Sequence, residues 1–150
     1  MTPETLILIA NASRARLCTQ HGRAGACRTV HTFAHPRSAA HGRELVTDRP
    51  GRVPQRIGSG SRSAAEPHSP PKRLEAAHFA RELAAHLATA LREDATAQLI
   101  LVAPPRFLGL LREELDEPLR ARVADSVAAD LTSVAETDLP ARLAALRDQA

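Results

Sequence analysis

Two short, strongly apolar runs constrain this chain more than anything else in it. Thr5 to Ala10 reads TLILIA and Ala97 to Ala103 reads AQLILVA, each too short for a buried helix and lacking the alternation of a half-exposed strand. Such runs are strands buried on both faces. A sheet that is apolar on both sides must be covered on both sides, so helices are expected above and below it. The first run, bounded by Asn11-Ala12-Ser13, is expected at the centre of the sheet, and Asn-Ala-Ser itself reads as a turn.

The segments around these runs supply the rest of an α/β layer structure. Ala15 and Leu17, with the residues to Gln20, read as a second strand. A glycine-containing turn over His21 to Gly25 leads to a third strand, Cys27 to Phe33. The three form an antiparallel meander. Proline at 70 and 71 opens a helix predicted over 72–93, whose Ala76, Phe79, Ala80, Leu83, Leu87 and Leu91 fall on one stripe. After the second apolar strand, Pro104-Pro105 suits a helix start, and Arg106 to about Leu115 is expected to bury Phe107, Leu110 and Leu111 with Gly109 allowing close packing. Residues 122–131 alternate, with Val123, Val127, Ala129 and Leu131 on one side, as a half-buried strand does; the alanine content makes a helix the rival reading. Asp138 is placed to cap a last helix carrying Leu139, Leu143 and Leu146. The resulting expectation is a single α/β domain over residues 1–150: a mixed five-stranded sheet, the meander plus two further strands, with helices on its faces. The fourth strand should run parallel to the first through a right-handed crossover.

Between the meander and the long helix, His35 to Pro71 shows neither helical nor strand periodicity and holds six of the chain's 11 prolines and four of its seven glycines. Loops beyond about 12 to 15 residues are uncommon inside a domain and are usually functional. Arg37, Arg43, Arg49, Arg52, Arg56 and Arg62 in this stretch stand against Glu44, Asp48 and Glu66, which makes it a basic arm. The wider charge balance is uneven too: residues 1–62 carry ten Arg against three acids, and the remainder ten bases against 14 acids. That asymmetry suits an anionic partner, although a 19-to-1 preference for Arg over Lys also follows from genome composition alone. Asp48-Arg49-Pro50-Gly51-Arg52 is a stiff turn presenting two guanidinium forks, which match phosphate oxygens bidentately; a local Asp48–Arg pair is the plainer use of the same residues.

Other chemistry is thin. The chain has no P-loop, G-x-S-x-G, H-E-x-x-H or C-x-x-C, and Gly58-Ser59-Gly60 lacks a third glycine and a preceding strand. His78, Glu82 and His86 share a helix face at i, i+4, i+8 and could hold a metal, but one helix face closes a tetrahedral site poorly, so a solvated face is expected and no metal or cofactor is assigned. Cys18 and Cys27 would lie directly opposite one another if the turn were centred between Gly22 and Arg23, and are expected as reduced packing thiols. With no Trp, no Tyr and three Phe, an aromatic platform for stacking nucleobases is not expected. His41 and Asp48 are candidates for acid/base roles. Nothing at the N-terminus has the pattern of a signal peptide, and no segment approaches the roughly 20 apolar residues of a membrane span, so a cytoplasmic protein without membrane association is expected.

The chain resembles the bacterial host attachment proteins (protein required for attachment to host cells). The segments that carry the likeness are Ala10-Asn-Ala-Ser-Arg-Ala-Arg-Leu17, Arg43-Glu-Leu-Val-Thr-Asp-Arg-Pro-Gly-Arg52, Phe79-Ala-Arg-Glu-Leu-Ala84, Leu99 to Arg112 and Asp130-Leu-Thr132. That family is similar to the middle domain of archaeo-eukaryotic class 1 translation release factors, so the resemblance implies a ribonuclease H-like sheet. It also implies that the basic arm stands where release factors carry the Gly-Gly-Gln loop that reaches peptidyl-tRNA. No Gly-Gly-Gln occurs here, and the first strand offers no acids for a two-metal nuclease site. Two functions follow as expectations. One is a non-enzymatic binding protein that lays the arm on structured RNA or the ribosome, with Arg43, Arg49, Arg52, Arg56, Arg62 and Arg106 as anion-binding residues. The other is an ester or phosphoester hydrolase at the strand-to-helix crevice, with His41 or Asp48 as base and Arg106 binding the anion at a helix N-terminus. Without an export signal, a role in attachment would be indirect.

Overall fold

The computed structural model describes residues 4–22, 25–35, 70–94 and 97–148. The described chain is a single α/β domain in the order β1 (Glu4–Ala10), β2 (Arg14–His21), β3 (Cys27–Ala34), α1 (Pro70–Glu93), β4 (Gln98–Ala103), α2 (Pro105–Glu114), α3 (Glu117–Arg122), β5 (Val123–Ala128), a 3-10 turn (Glu136–Asp138) and α4 (Leu139–Asp148). The sheet is five-stranded and mixed, ordered β3-β2-β1-β4-β5. β1 takes the central position expected of it, antiparallel to β2 and parallel to β4.

The two apolar runs explain the layering. Side chains alternate across a strand, so Leu6, Leu8 and Ala10 face one side with Leu99, Leu101 and Ala103, while Ile7 and Ile9 face the other with Ile100 and Val102. The first side is covered by the α1 stripe, from Ala76 through Phe79 and Leu83 to Leu91, together with Phe107, Leu108 and Leu111 of α2 and Leu119 of α3. On the second side the cover is Leu131, Leu139 and Leu143, from the connection after β5 and from α4. No helix among the described residues is long and apolar enough to cross a membrane.

Several local expectations are corrected. Cys18 lies opposite Thr29 and Cys27 opposite Gln20, because the β2–β3 turn is centred one residue later than the glycine spacing suggested. Gly22 takes φ 75° there, and a Cβ on Gly25 would stand 2.2 Å from the His21 carbonyl oxygen, so both positions need glycine. The two thiols are free and buried on one face. Burial pushes both up, Cys27 to about 11 with a smaller contribution from Cys18 beside it. Gly109 does not serve close packing: it faces open space, and α2 buries Leu108 with Phe107 and Leu111 while Leu110 is only partly covered. Val123 and Val127 do not share a face. A register shift between Leu99 and Ile100 places Val123 opposite Leu99 and Asp125 opposite Ile100, so Ala124 is the extra residue of a bulge and Val123 turns to the α1 side. Asp138 ends the 3-10 turn that runs straight into α4. The six-residue α3 was not expected, although Asp116 caps it by accepting the Leu119 amide and a proline stands in its first turn.

Candidate functional site

Strand directions sort the molecule into two ends. Because β1, β3, β4 and β5 point the same way, their C-terminal ends lie along one edge, where Asn11, His35, Pro104 and the residues after Ala128 emerge. α1 must run back from that edge to deliver the chain to the start of β4, so its N-terminus lies there as well. α2 begins there directly from Pro104. Both helices lack an acidic residue in the first turn, so their own first turns carry no carboxylate to offset the partial positive charge of each helix end. Arg106, exposed in the first turn of α2, and Arg14, exposed at the start of β2, add two guanidinium groups. The segment 36–69 leaves from His35 and returns at α1, so both its attachment points are on this edge.

The edge is built around a side-chain clasp between segments 119 residues apart. Asn11, 8% exposed, uses all of its amide. Its oxygen accepts the backbone amides of Ser13 at 2.8 Å and Arg14 at 3.0 Å, closing the β1–β2 turn. Its Nδ2 donates to Asp130 Oδ2 at 3.0 Å and Thr132 Oγ1 at 3.2 Å. Asp130 Oδ1 in turn accepts the Thr132 hydroxyl at 2.6 Å and its amide at 3.0 Å. Partial burial alone would raise the Asp130 pKa, but these bonds and the Arg14 charge outweigh it and hold the carboxyl below its ordinary value. Arg14 donates to Ser133 Oγ at 2.7 Å, and Arg16 donates to the carbonyls of Leu131, at 2.8 Å, and Val134. A strand end that carried only backbone groups would leave this corner loose; here the side chains of Asn11, Arg14, Arg16, Asp130, Thr132 and Ser133 lock it.

His35 sits beside the clasp. Its amide donates to the Ser13 carbonyl at 2.9 Å, and its ring, 5% exposed, stacks on Phe79 at 5.3 Å. Among the described residues neither ring nitrogen has a hydrogen-bond partner. Phe79 in turn lies 6.0 Å from Phe107 in the first turn of α2, so the row of rings joins the arm's departure point to the start of α2.

Of the residues singled out in the sequence, Arg106 is placed on this edge. Arg43, Arg49, Arg52, Arg56 and Arg62, with His41 and Asp48, lie outside the described residues. His78, Glu82 and His86 are exposed along α1, and His86 packs its ring against Phe33 at 4.8 Å. Asn11, Asp130 and Thr132 were missed as site residues; the signal available was that Asn11 is the first polar residue after a fully apolar strand, where a side chain must satisfy the turn.

These same clasp residues belong to two of the segments on which the family likeness was read, Ala10 to Leu17 and Asp130 to Thr132. No curated protein matches the chain. A family model, however, matches residues 6–143, from β1 into α4: the chain belongs to the family described as protein required for attachment to host cells.

Proposed function

We propose that this protein is a non-enzymatic RNA-associated protein that engages structured RNA, on the ribosome or on tRNA, through the edge defined by Asn11, Arg14 and Arg106 and through the basic arm rooted in it. The observation that supports the reading is the coincidence of both arm attachment points with two helix N-termini that carry no acid in their first turns and with Arg14 and Arg106 on the same edge. Backbone phosphates meet helix N-termini and guanidinium forks favourably, and the sequence between the two attachment points carries six further arginines. In this reading the fold corresponds to the ribonuclease H-like middle domain of class 1 release factors, with a binding arm in the catalytic loop's position and no Gly-Gly-Gln to hydrolyse an ester.

Phosphate-directed binding weakens steeply with salt. The protein is therefore expected to co-sediment with ribosomes at low salt, to be released as salt rises, and to lose most of the association when Arg49, Arg52 and Arg56 are all changed to Ala. No co-sedimentation at low salt, or co-sedimentation indifferent to the triple substitution, defeats the reading. The hydrolase reading has one supporting feature, Arg106 exposed in the first turn of the helix that follows β4, the end of the strand where open α/β sheets commonly take ligands. Turnover of any member of an ester and phosphoester panel, lost in Arg106→Ala, would establish it over the first.

A further inference from the structure

The three phenylalanines of this chain do not share an environment. Phe79 and Phe107 are 1% and 0% exposed and belong to the core. Phe33 is only half-buried, packed on the core from the edge strand β3. Two exposed imidazoles gather around it: His86, reaching from α1 with its centroid 4.8 Å away and its plane tilted by 59°, and His31, two residues back along β3, at 6.1 Å and 42°. A composition that argued against a stacking platform has thus been concentrated by the fold into one solvent-facing cluster of three rings.

We propose that Phe33, His31 and His86 form a stacking subsite for an unpaired nucleobase of single-stranded RNA. The inference rests on the RNA-binding reading above and names where a base, as distinct from a phosphate, is held. Its chemistry is that of aromatic surfaces: every base presents a π-face, and phenyl and imidazole rings accept it without regard to base identity. Position supports it. β3 is an outer strand of the sheet, so a ring can be approached from beside the strand without opening the core. Phe33 stands two residues before His35, from which the basic segment departs. Arg28, exposed farther along β3, offers a cation to the next phosphate. Glu82, exposed one turn from His86 on α1, is an acid on this wall; a carboxylate there disfavours a phosphate and accepts hydrogen bonds from a base's amino group. Duplex RNA does not expose base faces, so the subsite selects loops and ends.

The test uses a short single-stranded RNA containing 2-aminopurine, whose fluorescence is quenched by stacking, with the full-length protein at low salt. Wild type is expected to bind and quench. His86→Ala, an exposed change that leaves the core intact, and Phe33→Leu, which keeps apolar volume on the sheet, are each expected to lose the quench and weaken binding about tenfold, the worth of one stacked base. Quenching that persists in both variants, or wild-type binding with no quench, overturns the subsite and leaves the RNA reading in place. Failure of wild type to bind both this RNA and ribosomes overturns the two together.

Discussion

The two ends of the sheet are fastened by different means. At the end where β4 begins, one side chain does the fastening: Arg122 donates to the Ala97 carbonyl at 3.0 and 2.8 Å, to Leu91 at 3.2 Å and to Asp94 at 2.5 Å. Every acceptor is a backbone carbonyl, and together they are the C-terminus of α1 and the turn into β4. Carbonyls at a helix end lack the intrahelical amides that follow them; Arg122 supplies donors to them, with the Ala97 amide also reaching Asp94, so this end is a seal. At the opposite end the Asn11–Asp130–Thr132 clasp joins side chains to side chains across three strands. It leaves the N-termini of α1 and α2, and the arginines beside them, facing outward. Arg16 is spent on carbonyls at this end much as Arg122 is at the other, but here Arg14 and Arg106 remain exposed at the surface.

If the ends are separable in this way, substitutions at each should have different signatures. The largest effect is expected from Arg122→Ala, which removes charge-assisted bonds to three backbone carbonyls: a loss of about 2–3 kcal/mol, read in thermal unfolding as a fall of roughly 5–10 °C, with ribosome co-sedimentation of the folded protein unchanged. A parallel loss of binding would merge the two ends into one. Next comes Asn11→Ala, expected to cost about 1–2 kcal/mol, since it strands the turn amides and one face of the Asp130 carboxylate; here co-sedimentation should weaken along with stability. Asp130→Asn sharpens the comparison through pH. The folded-state pKa lies below its ordinary value, so the carboxylate contributes stability that is present above about pH 4 and is lost as pH falls through the lower folded value. Denaturant titrations on the acid side should therefore give a flatter pH profile for the variant than for wild type; identical profiles would mean that the clasp does not depend on the charge. The smallest change in stability is expected from Arg14→Ala, an exposed bond to Ser133, within about 0.5 kcal/mol. It should nonetheless reduce the salt dependence of RNA binding by about one phosphate contact, which a seal residue would not do.

The layer structure was legible in the sequence for a simple reason. A run such as Leu6 to Ala10 or Leu99 to Ala103 has no polar residue to offer either face, so its strand had to be internal, and the α1 stripe from Ala76 to Leu91 had to lie on it. Features set by an offset of one residue were not legible. The Ala124 bulge turned Val123 to the face opposite Val127, and a turn centred one position later moved Cys18 and Cys27 out of direct opposition. Such offsets follow from how strands twist and pair with neighbours far along the chain, which local periodicity does not record. Gly109 misled because a small residue on a helix reads alike whether it meets a neighbour or water.

The candidate site divides along the same line. Arg106 could be named beforehand because Pro104-Pro105 announces a helix start after a strand. Asn11 could be seen as a turn residue but not as the partner of Asp130, since the bond between them spans 119 residues and nothing local to either announces the other. Phe33 likewise became a half-buried ring with two imidazoles around it only when α1 crossed beside β3. By itself the sequence determined the composition of each face, the central strand and the basic character of the segment between β3 and α1, because burial and charge are properties a residue carries with it. The tertiary structure alone decided which ends coincide and which side chains meet there, because those depend on strand register and direction, which the whole sheet sets together.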